Sequence, residues 1–325
     1  MKKLLSIVLC LSVMLTASAG FVEAKASAAG GKLSIVTTIF PEYDWVMNIL
    51  GDRAADADVS MLLDNGVDLH SYQPTVDDIV RISACDLFLY VGGESDKWVD
   101  DALKEAANKN MVVINLLDVL GEAVKEEELV EGMEEDEDEE DDGESPEFDE
   151  HVWLSLKNAQ VLCRAIADAL ATLDPEHQGE YRSNADAYIG QLSALDDEYR
   201  AAVDQASLKT LLFGDRFPFR YLTDDYGLAY YAAFAGCSAE TEASFDTIIF
   251  LASKVDELDL PAILQLESSD GSISRTVLRS TKGQDAEILT MDSMQSVTAK
   301  DVAAEASSLV IMEANLAVLK AALQR

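Results

Sequence analysis

Apolar runs of strand length alternate with helical stretches along this chain, and the alternation occurs twice. The first series begins with the run Leu33 to Thr38, and the second begins with Lys209 to Phe213. Strands that alternate with helices are typical of parallel sheets built from βα units. The pattern therefore predicts an α/β fold with two similar parallel-sheet lobes, formed by residues 32–173 and 208–325.

A long amphipathic segment separates the two series. Apolar residues recur at spacings of three and four from Tyr181 to Ala202, which indicates one helix of roughly 30 residues. Asp174 followed by Pro175 favours helix initiation at its start. The stripe also fits the seam of a coiled-coil dimer, but its tyrosines disfavour that alternative, and we expect a monomer. Residues 174–207 are predicted to form a rigid linking helix, with ligands bound in the cleft between the lobes.

The first residues have the features of a secretory signal peptide. Met1 to Lys3 is basic, Leu4 to Leu15 is apolar, and Ala17 to Ala19 supplies small residues for cleavage. Residues 1–19 are therefore predicted to be removed on export, which makes the mature chain extracytoplasmic, either periplasmic or at the cell surface. Cys10 lies too deep in the apolar segment to be the cysteine of a lipoprotein, which disfavours a lipid anchor.

Three cysteines follow this segment, namely Cys85, Cys163 and Cys237. Each lies in a hydrophobic stretch, and free cysteine is among the residue types most often buried. We interpret all three as small core residues in preference to a disulfide. The sequence has no Cys-x-x-Cys pair, so a thiolate metal site and thioredoxin-like redox chemistry have no support.

The chain is strongly acidic, with 24 Lys and Arg against 61 Asp and Glu and a formal net charge of -37. Such a field repels nucleic acids and anionic membranes and suits a small cationic ligand. Residues 122–150 contain 18 of the acidic residues and one basic residue, Lys125. This acidic tract is predicted to be a solvated, mobile loop of the first lobe. It is either solubilising or a weak collector of divalent cations.

Two of the three histidines lie in loops at the lobe edges. His70 lies in the segment Leu69 to Thr75, and His151 lies in the segment Asp149 to Leu154 at the end of the acidic tract. These two motifs, in this order and followed by a long helix, resemble the metal-binding solute receptors of bacterial ABC importers for zinc and manganese. The same family is also described as adhesin-like surface antigens. The resemblance covers residues 32–325.

The resemblance implies that the two lobes close on one divalent metal ion and deliver it to an ABC permease in the membrane. His70 and His151 match the family's two ligands in the first lobe. Asp292, in a Thr-x-Asp-like turn near the C-terminus, matches one of the two ligands in the second lobe. Glu267, at the end of its own strand, is a reserve candidate.

The remaining ligand position is ambiguous between two neighbouring residues. Counting along the strand from Lys209 to Phe213 places it on Asp215, where zinc members carry His and manganese members carry Glu. An ungapped count back from Tyr226 instead gives Arg216, which cannot bind a metal ion. The predicted ligand set is therefore His70 and His151 with Asp215 and Asp292, the former aspartate being a departure from the family.

The identity of the metal stays open between zinc and manganese. Two imidazoles and two carboxylates suit first-row divalent ions, and carboxylate in place of a third imidazole favours manganese or iron. The acidic tract favours zinc, because it lies where zinc members of the family carry a metal-rich loop.

Two alternative functions stay open, and only the first of them uses the same residues. The first is a secreted metallohydrolase, which needs an open coordination position for water and a general base. The chain contains no HExxH, GxSxG or P-loop pattern, so we predict a receptor and not an enzyme. The second is an adhesin or acidic cation buffer, which would bind many ions weakly at the acidic tract.

Overall fold

The computed structural model describes residues 32–133, 147–238 and 242–324. The predicted signal peptide, Cys10 and the centre of the acidic tract lie outside the described residues. Within these ranges the structure contains no helix that is both long enough and apolar enough to cross a membrane.

The first lobe is built on a sheet of four parallel strands with spatial order β2-β1-β3-β4. The strands are β1 (Leu33–Thr37), β2 (Ala57–Met61), β3 (Leu87–Tyr90) and β4 (Val112–Asn115). The helices are α1 (Phe40–Leu50), α2 (Val76–Ala84), α3 (Val99–Lys104), α4 (Leu116–Leu120) and α5 (Leu156–Leu173). Every residue of β3 is buried, as expected for a strand of a parallel sheet covered on both faces.

The long helix, α6 (Gln178–Gln205), has 28 residues and precedes the second lobe. The second sheet is also parallel, with spatial order β6-β5-β7-β8. Its strands are β5 (Thr210–Phe217), β6 (Ala229–Ala235), β7 (Ala262–Leu266) and β8 (Glu287–Met291). The helices are α7 (Arg220–Tyr226), α8 (Phe245–Leu258), α9 (Ser272–Ser280), α10 (Ala299–Ala303) and α11 (Ser308–Leu323). The predicted α/β fold, with two similar lobes and a long helix between them, is confirmed.

Helix α6 buries its apolar stripe within the chain, where it packs on α5, α1 and α11. Tyr181, Tyr188 and Tyr199 are all buried in this stripe, so it is not free to form a dimer seam. The helix begins later than the sequence indicates, because Pro175–His177 forms a separate 3-10 turn. The Asp174 carboxylate does not cap a backbone N–H there and instead accepts a hydrogen bond from the Tyr181 hydroxyl at 2.7 Å.

The two lobes share one continuous hydrophobic cluster. It contains Phe88 of the first sheet, Tyr199 of α6 and Phe213 of the second sheet. A smaller cluster, which includes Leu212 and Ile263, covers the other face of the second sheet. The lobes are therefore packed against each other and are not separate globules joined only by a helix.

Polar contacts also join the lobes at several points. Asp225 of α7 accepts hydrogen bonds from Ser155 at 2.5 Å and from the Lys157 ammonium at 2.9 Å. The Trp153 indole N–H donates to the Ser293 carbonyl at 2.9 Å. These contacts hold residues of the two lobes together in this structure.

The ends of the acidic tract also pack onto the second lobe, so the prediction of a solvated loop is wrong for those ends. Backbone hydrogen bonds pair residues 125–127 with residues 147–149. Glu128 then forms an ion pair with Arg220 of α7. The backbone pairing and the ion pair with Arg220 offset the repulsion between the carboxylates of the tract. Amino-acid composition alone does not reveal such contacts.

Asp44 on α1 connects three helices and gives a test of this packing. Its carboxylate accepts hydrogen bonds from the Tyr188 hydroxyl at 3.1 Å and from the Ser308 backbone N–H at 3.0 Å. Asp44→Ala leaves these buried donors without a partner and is expected to lower the free energy of unfolding by about 2 kcal/mol. Chemical denaturation measures this change, and exposed Asp58→Ala is the control. Equal stability of the two variants would contradict the role of Asp44.

Candidate metal centre

His70 is held in a short turn that follows the loop after β2. Leu69–Ser71 forms a 3-10 turn, and the Asp68 carboxylate accepts a hydrogen bond from the His70 backbone N–H at 3.0 Å. Leu69 is buried in the core beside it. An apolar anchor and a side-chain cap therefore fix the backbone that carries the imidazole.

His151 is fixed in the same manner at the end of the acidic tract. The apolar residues of the following 3-10 turn, Val152–Leu154, are all buried. The Asp149 carboxylate accepts hydrogen bonds from the His151 backbone N–H at 2.9 Å and from its Nδ1 at 3.1 Å. His151 is fully buried, so its ring has a single defined orientation.

The two imidazoles meet edge to edge. Nε2 of His70 lies 3.1 Å from Nε2 of His151. The Nδ1 atom of His70 lies 2.9 Å from the Ser95 hydroxyl and 3.4 Å from Glu150 Oε2, and Nδ1 of His151 contacts Asp149. We infer from these partners that both Nδ1 atoms carry hydrogen, which leaves two Nε2 lone pairs directed at each other.

Two facing lone pairs need a proton or a cation between them. In a tetrahedral zinc site with Zn–N bonds of about 2.0 Å, two ring nitrogens are separated by roughly 3.3 Å. The observed 3.1 Å is close to that separation. At His151 a carboxylate holds Nδ1 and leaves Nε2 without a hydrogen atom. Carboxylates orient histidine ligands at metal sites in this way.

The electrostatic environment of the pair favours a cation. Burial and the neighbouring His151 lower the pKa of His70 to about 3. Burial opposes a charge on His151, but Asp149 and Glu150 hold its pKa above the usual value. Burial raises the pKa of Glu150 to about 7, and its Oε2 has no hydrogen-bond partner. The pocket therefore has unmet capacity for positive charge.

Cys237, which follows β6 of the second lobe, lies against this pair. Its Sγ and one nitrogen of each of the two histidines all lie within 4.8 Å of one another. The interpretation of Cys237 as a core residue is therefore wrong. Cys85 and Cys163, by contrast, are free and buried, as expected of core residues.

Glycine before Cys237 allows this approach. A Cβ atom on Gly236 would lie 2.8 Å from the Phe217 carbonyl oxygen and 3.1 Å from His151 Nδ1. The Cys237 backbone N–H donates to the Glu127 carboxylate at 3.0 Å. A close backbone approach and a carboxylate from the acidic tract thus place the thiol beside the imidazoles.

Asp215 lies on the cleft wall but outside this cluster. Strand β5 changes register between Phe213 and Arg216, and this irregularity turns the Asp215 carboxylate toward the neighbouring strand. Its Oδ2 accepts a hydrogen bond from the Leu266 backbone N–H at 3.1 Å, and its Oδ1 accepts one from the Arg216 N–H at 2.9 Å. The predicted third ligand is therefore already engaged with backbone groups.

Arg216 extends across the cleft beside the histidines. Its guanidinium donates to Asp68 Oδ2 at 2.6 Å. Although burial opposes the charged form, Arg216 and His70 hold the pKa of Asp68 below its usual value. Arg216, the alternative residue for the ambiguous ligand position, thus forms an ion pair between the lobes. Its partner, Asp68, directly precedes the turn that carries His70.

Asp292 and Glu267 form a separate group in the second lobe and do not join the cluster. Glu267 accepts hydrogen bonds from the Ser293 backbone N–H at 2.8 Å and from the Ser296 hydroxyl at 3.1 Å. Asp292 accepts one from the Met294 N–H at 2.7 Å. Burial, and then Glu267, raise the pKa of Asp292 to about 6. In this structure both carboxylates order the loop that follows β8.

Comparison with known proteins identifies the family of this chain. The family model described as "Zinc-uptake complex component A periplasmic" matches residues 35–322 of the chain. The chain belongs to this family. The resemblance inferred from the two histidine motifs is confirmed.

Members of the zinc-uptake family are similar along most of the chain. The high-affinity zinc uptake system protein ZnuA of Bacillus subtilis is 31% identical over 312 residues, which cover 94% of this chain and 93% of that protein. The zinc-binding lipoprotein AdcA of Streptococcus pneumoniae serotype 4 is 32% identical over 295 residues, 90% of this chain and 56% of AdcA. The chain thus spans little more than half of the length of the streptococcal relatives.

Solved structures of the family have the same fold. The Zn(II)-bound ZnuA-like domain of Streptococcus pneumoniae AdcA superposes with a TM-score of 0.70 at 28% identity, covering 91% of this chain and 100% of that domain. The metal-dependent lipoprotein YcdH of Bacillus subtilis superposes with a TM-score of 0.73 at 26% identity, covering 90% of this chain and 100% of YcdH.

His70, the less buried member of the histidine pair, opens onto a cleft of about 630 Å³ between the lobes. His70 and Cys237 line it, together with Asp215 and Arg216. The cleft connects this cluster to solvent.

Proposed function

We propose that this protein is the extracytoplasmic binding component of an ABC importer, which captures a zinc ion between its lobes and delivers it to a membrane permease. The observation that carries the proposal is the pair of Nε2 atoms of His70 and His151, 3.1 Å apart, with each Nδ1 held by an oxygen atom. Such a pair is arranged to bind a metal ion.

Zinc is favoured over manganese by the donor atoms. Two imidazoles lie together, while the carboxylates of Asp215 and Asp292 are engaged elsewhere. Manganese prefers oxygen ligands, whereas imidazole and thiolate suit zinc. The zinc-binding names of AdcA and ZnuA support the same assignment.

A receptor accounts for the site better than a metallohydrolase does. The two histidines are buried or nearly so, and Asp149 and Ser95 orient their rings through Nδ1. Binding across the cleft stabilises one arrangement of the lobes, which a permease can recognise. We propose that the protein acts as a monomer and has no catalytic activity.

Metal analysis of the protein purified without added metal tests the proposal. One zinc ion per chain is expected, and zinc is expected to displace manganese in competition at equal concentrations. A chain that binds several ions weakly, with no dependence on His70, would instead support the acidic cation buffer.

Gly236→Ala tests the close packing of the site. The added methyl group would press on the His151 ring and displace it, so zinc affinity is expected to fall by about tenfold. Titration against a chromophoric chelator measures the affinity. Gly179→Ala is a suitable control, because a Cβ atom there meets open space. If both variants bind zinc like the wild type, the ring position is not critical.

The centre of the acidic tract is expected to be dispensable for tight binding. Backbone hydrogen bonds join residues 125–127 to residues 147–149, so the two ends of the tract are held together without its central part. Deletion of residues 134–144 is therefore expected to change zinc affinity by less than about threefold, since exposed carboxylates attract ions only weakly at physiological salt. Loss of the tight site in the same chelator titration would show that the tract supplies a ligand.

A further inference from the structure

The second lobe has to supply a metal ligand if the lobes are to close on the ion, and in this structure the predicted candidates lie outside the cluster formed by His70, His151 and Cys237. Asp215 is hydrogen-bonded to the backbone of β7, and Asp292 is hydrogen-bonded within its own loop. Arg216 carries a positive charge and pairs with Asp68. Neither aspartate belongs to the group of donor atoms around the histidine pair that lie within 4.8 Å of one another, and an arginine side chain cannot bind a metal ion.

Cys237 has the required position. Its Sγ is part of the cluster in which the donor atoms of all three residues lie within 4.8 Å of one another. Among the described residues, no other group of three or more histidine, cysteine or acidic side chains brings its donor atoms this close together. The thiol comes from the loop after β6, whereas both imidazoles come from the first lobe.

The surroundings of the sulfur are those of a ligand and not of a core thiol. Cys237 lines the cleft between the lobes together with His70. Glu127 fixes the Cys237 backbone, and Asp149 fixes His151 on the other side of the cluster. Carboxylates on both sides disfavour a bare thiolate but favour a thiolate that is neutralised by a divalent cation.

We infer that the thiolate of Cys237 is the second lobe's ligand to the transported ion, and that it makes the site selective for thiophilic ions such as zinc and cadmium against manganese. This inference rests on the proposed function. On binding, the Sγ–H bond breaks, the sulfur forms a bond to the metal, and the proton passes to solvent.

Cobalt substitution tests the sulfur ligand directly and without mutation. The Co²⁺-loaded wild-type protein is expected to show a near-ultraviolet sulfur-to-cobalt charge-transfer band, which added Zn²⁺ removes. The Cys237→Ser variant is expected to lack the band, whereas Cys163→Ala, at a buried core position, is expected to keep it. A wild-type protein that binds cobalt and zinc without this band would overturn the inference.

Affinities of the same variants test selectivity. Cys237→Ser is expected to lower Zn²⁺ affinity at least tenfold and Mn²⁺ affinity much less, and Cys237→Asp to raise the affinity for Mn²⁺ relative to Zn²⁺. Unchanged Zn²⁺ affinity in Cys237→Ser would overturn the inference while the proposed function stands. Failure of the wild-type protein to bind Zn²⁺ at all would overturn the proposed function itself.

Discussion

Replacement of His151 by alanine is expected to lower zinc affinity on the order of a hundredfold or more. Loss of a residue that only orients a ligand costs tenfold to a hundredfold, and His151 is proposed to bind the ion itself. The change also leaves the Asp149 carboxylate buried without its ring partner. Competition with a chromophoric zinc chelator measures the effect, and His70→Ala is expected to behave alike.

The third histidine provides the matched control. His177 lies in the 3-10 turn before α6 and contacts Asp174 at 2.7 Å. His177→Ala is expected to bind zinc with wild-type affinity. If all three alanine variants keep that affinity, the metal site is not formed by the histidine pair.

Zinc affinity is expected to fall by on the order of a thousandfold between pH 8 and pH 5.5, because protons compete with the ion for its ligands. Each proton that zinc displaces makes the zinc affinity change about tenfold per pH unit. Burial, followed by the nearby carboxylates, raises the pKa of the Cys237 thiol well above its usual range, so this group loses a proton at every pH tested.

His151 adds a second proton at the lower end of this range. Its pKa is raised, so it is protonated below that value, and the logarithm of the affinity should then depend on pH with a slope of about two. His70, whose pKa is lowered to about 3, stays neutral throughout. Titrations at several pH values give the slope, and Cys237→Ala should reduce it by about one. Binding that is independent of pH would contradict the ligand assignment.

The sequence predicts the elements of this fold well, because each is encoded locally. Strand-length runs such as Leu33 to Thr38 become buried strands, and the apolar stripe from Tyr181 becomes the buried face of α6. The first-lobe histidines are equally predictable, because each lies in a short motif whose neighbours also fix it. Asp68 caps the His70 turn, and Asp149 holds the His151 ring.

The second lobe's part of the site depends on features that the sequence does not encode locally. A register change inside β5 decides that Asp215 faces Leu266 and that Arg216 faces the cleft. Counting residues along an ideal strand cannot locate such an irregularity. The signal for Cys237 was present, however, because the Gly236-Cys237 pair follows a strand at its carboxyl end, where ligands of α/β folds bind.

The shared hydrophobic cluster and the polar contacts between the lobes have a consequence for the timing of transport. A receptor whose halves are separate bodies can trap its cargo by a wide swing about a hinge. Here Phe88 and Phe213 belong to one core, and Asp225 is bonded to Ser155 and Lys157 of the other half. If the protein acts as the proposed receptor, we therefore expect the lobes to close on the ion by a small movement and the loops that carry His70 and Cys237 to make most of it. The residence time of the ion is then expected to follow how often those loops open, and a permease that displaces either loop is expected to shorten it.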